Sequence, residues 1–384
     1  MNACRALVFV AALAVLAGCD KEKDVAPPAE LVDLKATLAV KELWSVGMGG
    51  GGEKLRLALG LAGDSDTLYA ASRDGEVRAL EAANGRTRWR ADLDVPLSAG
   101  PGAGPGLVVL GTNQGEVIAL ESASGKVRWK AKVRGEVLAA PLVTDERVVV
   151  RTVDARLRAL AARDGKEQWV VDEMVPRLSL RGTAAPVLAG DAVVCGFDSG
   201  KVIAVSLAGG ETLWQSQVST PRGRSELERL ADVDSAVRVA GNDVYAVGYQ
   251  GRVAMLALDS GQVWWGRDLS SYSGLAIDDD QLYVATSDGD VVALRRRDGT
   301  VLWQQEGLKR RGLSTPGVVG NAVVVGDFEG YLHWLDRGTG TFVAREHPGG
   351  EKIASAPLVA GDRVFVIDEG GKIVAYRTGD AAGR

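Results

Sequence analysis

Histidine and cysteine are nearly missing from this 384-residue chain: there are two histidines, His333 and His347, and three cysteines, Cys4, Cys19 and Cys195. Two imidazoles exclude a His-rich metal site and leave little from which to assemble a nucleophile–histidine pair. No two cysteines stand adjacent, and Cys195 sits inside the apolar run Ala192-Val193-Val194-Cys195, where an inert buried thiol is expected. A basic excess is missing too. Lys and Arg number 45 against 50 Asp and Glu, a net charge of −5, which excludes the electrostatic footprint of a nucleic-acid binder. The apolar run at residues 6–16 is too short to span a bilayer as a permanent helix. Gly49-Gly50-Gly51-Gly52 follows no Walker pattern and reads as a loop. Aromatic residues make up only 5%, yet nine of them are Trp, and their placement is regular.

What the first residues do contain is an export signal. Arg5 supplies the positive start, residues 6–16 the apolar stretch, and Leu16-Ala17-Gly18-Cys19 the end. That ending resembles a bacterial lipobox, which implies a signal peptide over residues 1–18, cleavage before Cys19 and lipidation of its thiol; a plain secretory signal with an incidental Cys is the alternative. The mature chain would then carry 44 basic and 50 acidic residues, a net charge of −6, and no internal disulfide. Residues 19–41 read as a flexible tether: Asp20-Lys21-Glu22-Lys23-Asp24 is charged and Pro27-Pro28 breaks structure.

The rest is one phrase repeated about eight times, Gly-x-Val-x-Ala-Leu, then a Gly, then a Trp. The copies start at residues 75, 115, 155, 200, 251, 289, 330 and 371, spaced 40, 40, 45, 51, 38, 41 and 41 residues apart. A period near 40 with strand-like content is the signature of propeller blades. In the first copy Leu68-Tyr69-Ala70-Ala71 reads as a strand, Asp74-Gly75 and Asn84-Gly85 as hairpin turns, and Val77 and Ala79 alternate with Glu76, Arg78 and Leu80. A further apolar strand precedes each unit, often announced by a small residue and Pro, as at Ala140-Pro141 and Ala356-Pro357. Four strands per unit make a blade, so residues 42–380 read as an all-β, eight-bladed β-propeller of antiparallel four-stranded blades.

The Trp positions are 44, 89, 129, 169, 214, 265 and 303, with Ala344 where an eighth is expected. Each indole is expected to pack between neighbouring blades. Trp264 and Trp334 stand off this register. The last copy lacks an outer strand, and Glu42-Leu43-Trp44-Ser45 is the orphan that supplies it, pairing the two ends of the chain and closing the ring.

Two connections break the rule. From Trp to the next anchor the chain takes 12 residues (Trp89 to Pro101, Trp129 to Pro141) or 13 (Trp303 to Pro316), but 17 from Trp169 to Pro186 and 23 from Trp214 to Val237. Equivalent loops on adjacent blades lie side by side, and extra residues there point to a binding surface. The first contains Val175-Pro176-Arg177-Leu178-Ser179-Leu180-Arg181-Gly182, with Leu178 and Leu180 on one face of an extended strand, and the second Ser225-Glu226-Leu227-Glu228-Arg229-Leu230-Ala231-Asp232-Val233-Asp234, with room for a short helical turn before the acids. Two leucines, an Arg and two carboxylates suit an interface with an apolar centre and a charged rim. The alternative is that the leucines fold back onto the blade and the acids only solubilise a loop.

Lipobox, tether, eight blades and these two connections together resemble the BamB family, lipoproteins of the β-barrel assembly machinery, over essentially the whole mature chain. The resemblance implies a non-catalytic scaffold, without cofactor or metal, anchored through Cys19 on the periplasmic face of the outer membrane. It implies that Leu178, Leu180, Arg181, Asp232 and Asp234 contact the POTRA domains of BamA, and through BamA the rest of the complex. Asp20 pulls the other way, because in enteric lipoproteins an acid after the lipidated Cys favours the inner membrane. Direct contact of blade edges with unfolded outer-membrane proteins by β-augmentation is a further implication. The repeats also resemble those of quinoprotein dehydrogenases, which bind pyrroloquinoline quinone and Ca²⁺. Those enzymes are longer and many carry an adjacent Cys pair, which this chain does not have.

Overall fold

The computed structural model describes residues 26–48, 59–176, 178, 184–220, 224–225 and 231–379. Among them, 32 strands form eight antiparallel sheets of four, with no helix. In chain order the blades span residues 61–92, 97–132, 142–172, 187–217, 238–267, 274–305, 317–346 and 358–379. The eighth takes its outer strand from the start of the chain: Ala39–Gly47 runs antiparallel to Lys372–Gly379, from Ala39 opposite Gly379 to Gly47 opposite Lys372. Closure by the two termini is therefore as the orphan Trp strand requires.

The middle strands differ from the simple alternation read in the sequence. In Leu107–Thr112 and Ala192–Gly196 every residue is buried, on both faces. Each blade is covered by a neighbour on either side, so both faces of its middle strands lie in core. Only the outer strands, such as Val127–Lys132, show exposed residues alternating with a buried Trp.

One lock holds seven joints. Each of the seven in-register indoles donates Nε1–H to a backbone carbonyl in the last hairpin turn of the next blade, from Trp44 to Ala82 through Trp303 to Arg337, at 2.6–3.2 Å. The ring lies flat on a turn glycine: Gly85, Gly125, Gly165, Gly210, Gly261, Gly299 and Gly340 all have φ between +66° and +80°. A Cβ on any of them would come within 2.7 Å of an indole carbon. Backbone conformation and close approach both demand Gly there.

The eighth joint cannot use this lock. In blade eight the third strand ends at Gly379 and the fourth is Ala39–Gly47, so no hairpin turn joins them. An indole at position 344 would have no glycine to lie on. Its cross-strand partner is Trp334, fully buried and edge-on to Tyr376 with ring centres 5.6 Å apart. In the other blades that partner is small or slender: Ala79, Ala119, Ala159, Ala204, Met255, Ala293 and Ala375. The large residue has changed strands, which accounts for both Ala344 and the off-register Trp334. Trp264 faces solvent on the outer strand of blade five, 60% exposed, over a shallow groove with Arg297 and Asp298.

Residues 26–38, within the span read as a tether, lie along blade seven. Ala29 N–H donates to Lys309 O at 2.9 Å, while the N–H groups of Thr37 and Leu38 both donate to Val343 O at 2.8 and 3.1 Å. Leu31 packs with Phe342 and Val318, and Leu38 with Val343 near Trp334.

Candidate functional site

A four-stranded meander places its second hairpin turn and its connection to the next blade on one face of the ring, and its other two turns on the opposite face. The two long connections therefore share a face, at the joints of blades three with four and four with five. Their described parts behave differently.

The first leaves blade three after Asp172 and exposes a run of apolar side chains. Met174 is 79% exposed, Val175 47% and Leu178 40%. Ten large apolar side chains are exposed among the described residues, and these three fall within five positions. Isolated exposed apolar residues are ordinary, but a cluster marks a contact surface. Beside them Glu173 pairs with Lys201 of blade four at 3.4 Å, which ties the start of the connection to the ring.

The second connection is buried where it rejoins the ring. Asp232 is 0% and Asp234 7% exposed, and Ala231, Val233 and Val237 are buried as well. Val233 N–H donates to Phe197 O at 3.1 Å and Tyr249 N–H to Asp232 O at 2.7 Å, while Val233 fits against Gly196, where a Cβ would meet it at 2.5 Å. Alternation explains the pattern: Val233 points into the blade four–five core, and its neighbours turn toward a polar cluster.

That cluster draws on three blades. Arg151 of blade three is fully buried, paired with the equally buried Asp198 of blade four and set over the Phe197 ring at 5.1 Å. Burial works against the Arg151 charge, and its neighbours, Asp198 foremost, together more than restore it, so its pKa ends above the ordinary value. Asp234 shifts the other way from an ordinary surface carboxylate. Burial first, then the charges of Asp232 and Asp198, push its carboxyl up to about 8, with Arg151 pulling the other way. The Cys195 thiol is buried too, and loss of solvent pushes it up to about 12, which makes it an inert core group.

Of the residues the sequence pointed to, Leu178 is exposed on the face and Asp232 and Asp234 lie beneath it, not on a charged rim. Leu180, Arg181 and Cys19 lie outside the described residues, as does most of the stretch read as a helical turn. Sequence reading opened this connection at Val175 without giving that residue a contact role, and it missed Met174, although an apolar pair just beyond a completed strand was a visible signal. It also missed Arg151, an arginine closing the run Val148-Val149-Val150 in the middle of a blade. His333 and His347 belong to blade seven, away from this face's long connections. Among the described residues no group of three or more His, Cys, Asp or Glu is placed to hold a metal ion. The arrangement offers apolar contact over a rigid, polar foundation.

A family model described as "Outer membrane protein assembly factor BamB" matches residues 39–99, 73–305 and 287–382. The outer membrane protein assembly factor BamB of Pseudomonas aeruginosa is 50% identical over 371 residues, covering 97% of this chain and 98% of the relative. The crystal structure of BamB from Moraxella catarrhalis superposes with a TM-score of 0.81 at 27% identity, over 88% of this chain and all of that one. A quinohemoprotein alcohol dehydrogenase from Comamonas testosteroni reaches a TM-score of 0.70 at 13% identity, over 90% of this chain and 77% of its own, a likeness of fold alone.

Proposed function

The chain belongs to the BamB family of outer membrane protein assembly factors, and from that premise we propose that it is a non-catalytic scaffold of the β-barrel assembly machinery. It is held on the periplasmic side of the outer membrane through lipid on Cys19 and docks a POTRA domain of BamA on the face that carries the two long connections. The observation that carries the reading is the cluster Met174, Val175 and Leu178, exposed together on that face. Leu178 and Leu180 supply the apolar centre and Arg181 the charged contact. Asp232 and Asp234, with Arg151 and Asp198 below them, hold the second connection in shape from within. A chemical step finds little here: the one described thiol is buried and pushed to about 12.

Co-purification of BamA with the wild-type lipoprotein, beside Leu178→Asp and Arg181→Glu, tests the proposal. Charging or reversing an anchor at a desolvated contact costs ~2 kcal/mol or more, a loss of roughly 30-fold in affinity, enough to empty a pull-down. Leu178 is solvent-exposed in the free chain, so Leu178→Asp leaves the ring folded. Loss of BamA from both variants, with unchanged melting, is the expected result. Retention by both removes the patch, and absence of BamA from the wild type removes the partner.

A further inference from the structure

Residues 26–38 make too many specific bonds for a spacer. Four backbone carbonyls and amides at their start meet the loop between blades six and seven or the strand beyond it. Arg310 Nε donates to Pro27 O at 2.7 Å, Arg311 Nη1 to Ala29 O at 3.0 Å, Ala29 N to Lys309 O at 2.9 Å, and Arg345 Nη1 to Val32 O at 2.8 Å. The arginines are themselves fixed. Arg311 is buried and paired with Asp327 at 2.7 Å and with Glu329, and Arg345 Nε donates to Nδ1 of the buried His333, whose Nε2 bonds Asp327 at 2.9 Å. Leu31 then packs on the same apolar cluster as Phe342, and Thr37 and Leu38 bond Val343 before the closing strand begins. This segment runs from the face of the long connections down the outer edge of blade seven.

The consequence is where the chain leaves the ring. Without docking, twenty residues would separate Cys19 from Ala39, a reach of about 70 Å fully extended. With docking, only eight residues separate Cys19 from the first docked contact at Pro27, a reach of at most about 28 Å. The exit lies at the joint of blades six and seven. The long connections lie at the joints three–four and four–five, two to three blades round an eight-bladed ring.

We infer that residues 26–38 are a docked mount: they hold the rim of blades six and seven against the lipid surface, so that the long connections stand clear of it. This rests on the reading that Cys19 carries lipid. The mount turns a point anchor into an oriented one and presents the docking face to a partner beside the membrane, not beneath the ring.

The test uses the full-length lipoprotein in phosphatidylcholine–phosphatidylglycerol vesicles whose headgroups carry an energy-transfer acceptor. A donor dye is placed on Asp288→Cys or on Asn113→Cys, exposed positions in equivalent turns of blades six and two, directly opposite across the ring. Cys195 is buried and does not label. Transfer several-fold stronger from position 288 than from 113 is expected. Two further variants should bring the two positions to near equality: Arg310→Ala combined with Leu31→Asp, which frees the mount, and a long Gly/Ser insert after Asp24, which lengthens the leash without touching the ring. Equal transfer in the wild type while the protein floats with the vesicles overturns the mount, as does an undiminished difference in the insert. Failure of the wild type to float overturns the lipid reading beneath it.

Discussion

The tryptophans show how much a single hydrogen bond and a single glycine decide. Trp129 lies on Gly165 and donates to Ala162 O at 2.8 Å, whereas the Nε1 of Trp334 is buried with no acceptor among the described residues. Phe at the two positions should therefore behave differently. Trp129→Phe strands a buried carbonyl and thins an inter-blade contact, a cost of about 1–3 kcal/mol. Trp334→Phe gives up indole area but also removes an unpartnered N–H, and a phenyl ring still meets the edge of Tyr376, so the two terms offset. Urea denaturation of both variants should show the larger fall in midpoint for Trp129→Phe. A fall for Trp334→Phe as large or larger would mean that the eighth joint is held by the indole as the others are. The sequence announced seven of these residues by their spacing, since each lock is built from a short local phrase. Trp334 was silent because its role follows from a turn that is absent elsewhere in the chain.

At the scale of strands, the ring closes through its ends. Ala39–Gly47 is the only strand of blade eight that comes from the beginning of the chain, and it brings Trp44, which locks onto Ala82 of blade one. Removing residues 40–47 takes away a whole sheet edge and the lock to the next blade together, leaving Lys372–Gly379 with an open row of peptide groups. Because blades share their cores with both neighbours, the loss cannot stay local, and the expected outcome is a lowered melting temperature for the whole ring. An unchanged melting temperature would mean that the pairing is ornamental. Closure was legible because one Trp strand was left over at one end and one strand was missing at the other. The docked segment before it was not legible. Its bonds are made by its own main chain to Arg310, Arg311 and Arg345, residues some 280 positions or more away, and its Pro-rich, charged composition reads as a spacer.

Across the whole molecule, the polar cluster under the long connections joins three blades, and its protonation should register in global stability. The loop composition around Asp232 and Asp234 reads as solvent-facing, so nothing local reveals that blades three, four and five converge on them. Asp234 sits near Asp232, Asp198 and Arg151, and its carboxyl is raised from 3.8 to about 8, burial being the largest cause. The folded state then binds a proton that the unfolded chain releases near its ordinary carboxylate pKa. Stability from this group is fully present below about 4 and is lost as pH rises through about 8, so the folded state weakens between those limits. Asp234→Asn keeps the shape and removes the titration. Urea midpoints measured from pH 5 to 8.5 should fall more steeply in the wild type than in Asp234→Asn, and equal slopes would mean that the carboxyl is ionised throughout. Because the same cluster underlies the face proposed to dock BamA, the slope should reappear as a weakening of BamA retention toward alkaline pH that Asp234→Asn flattens.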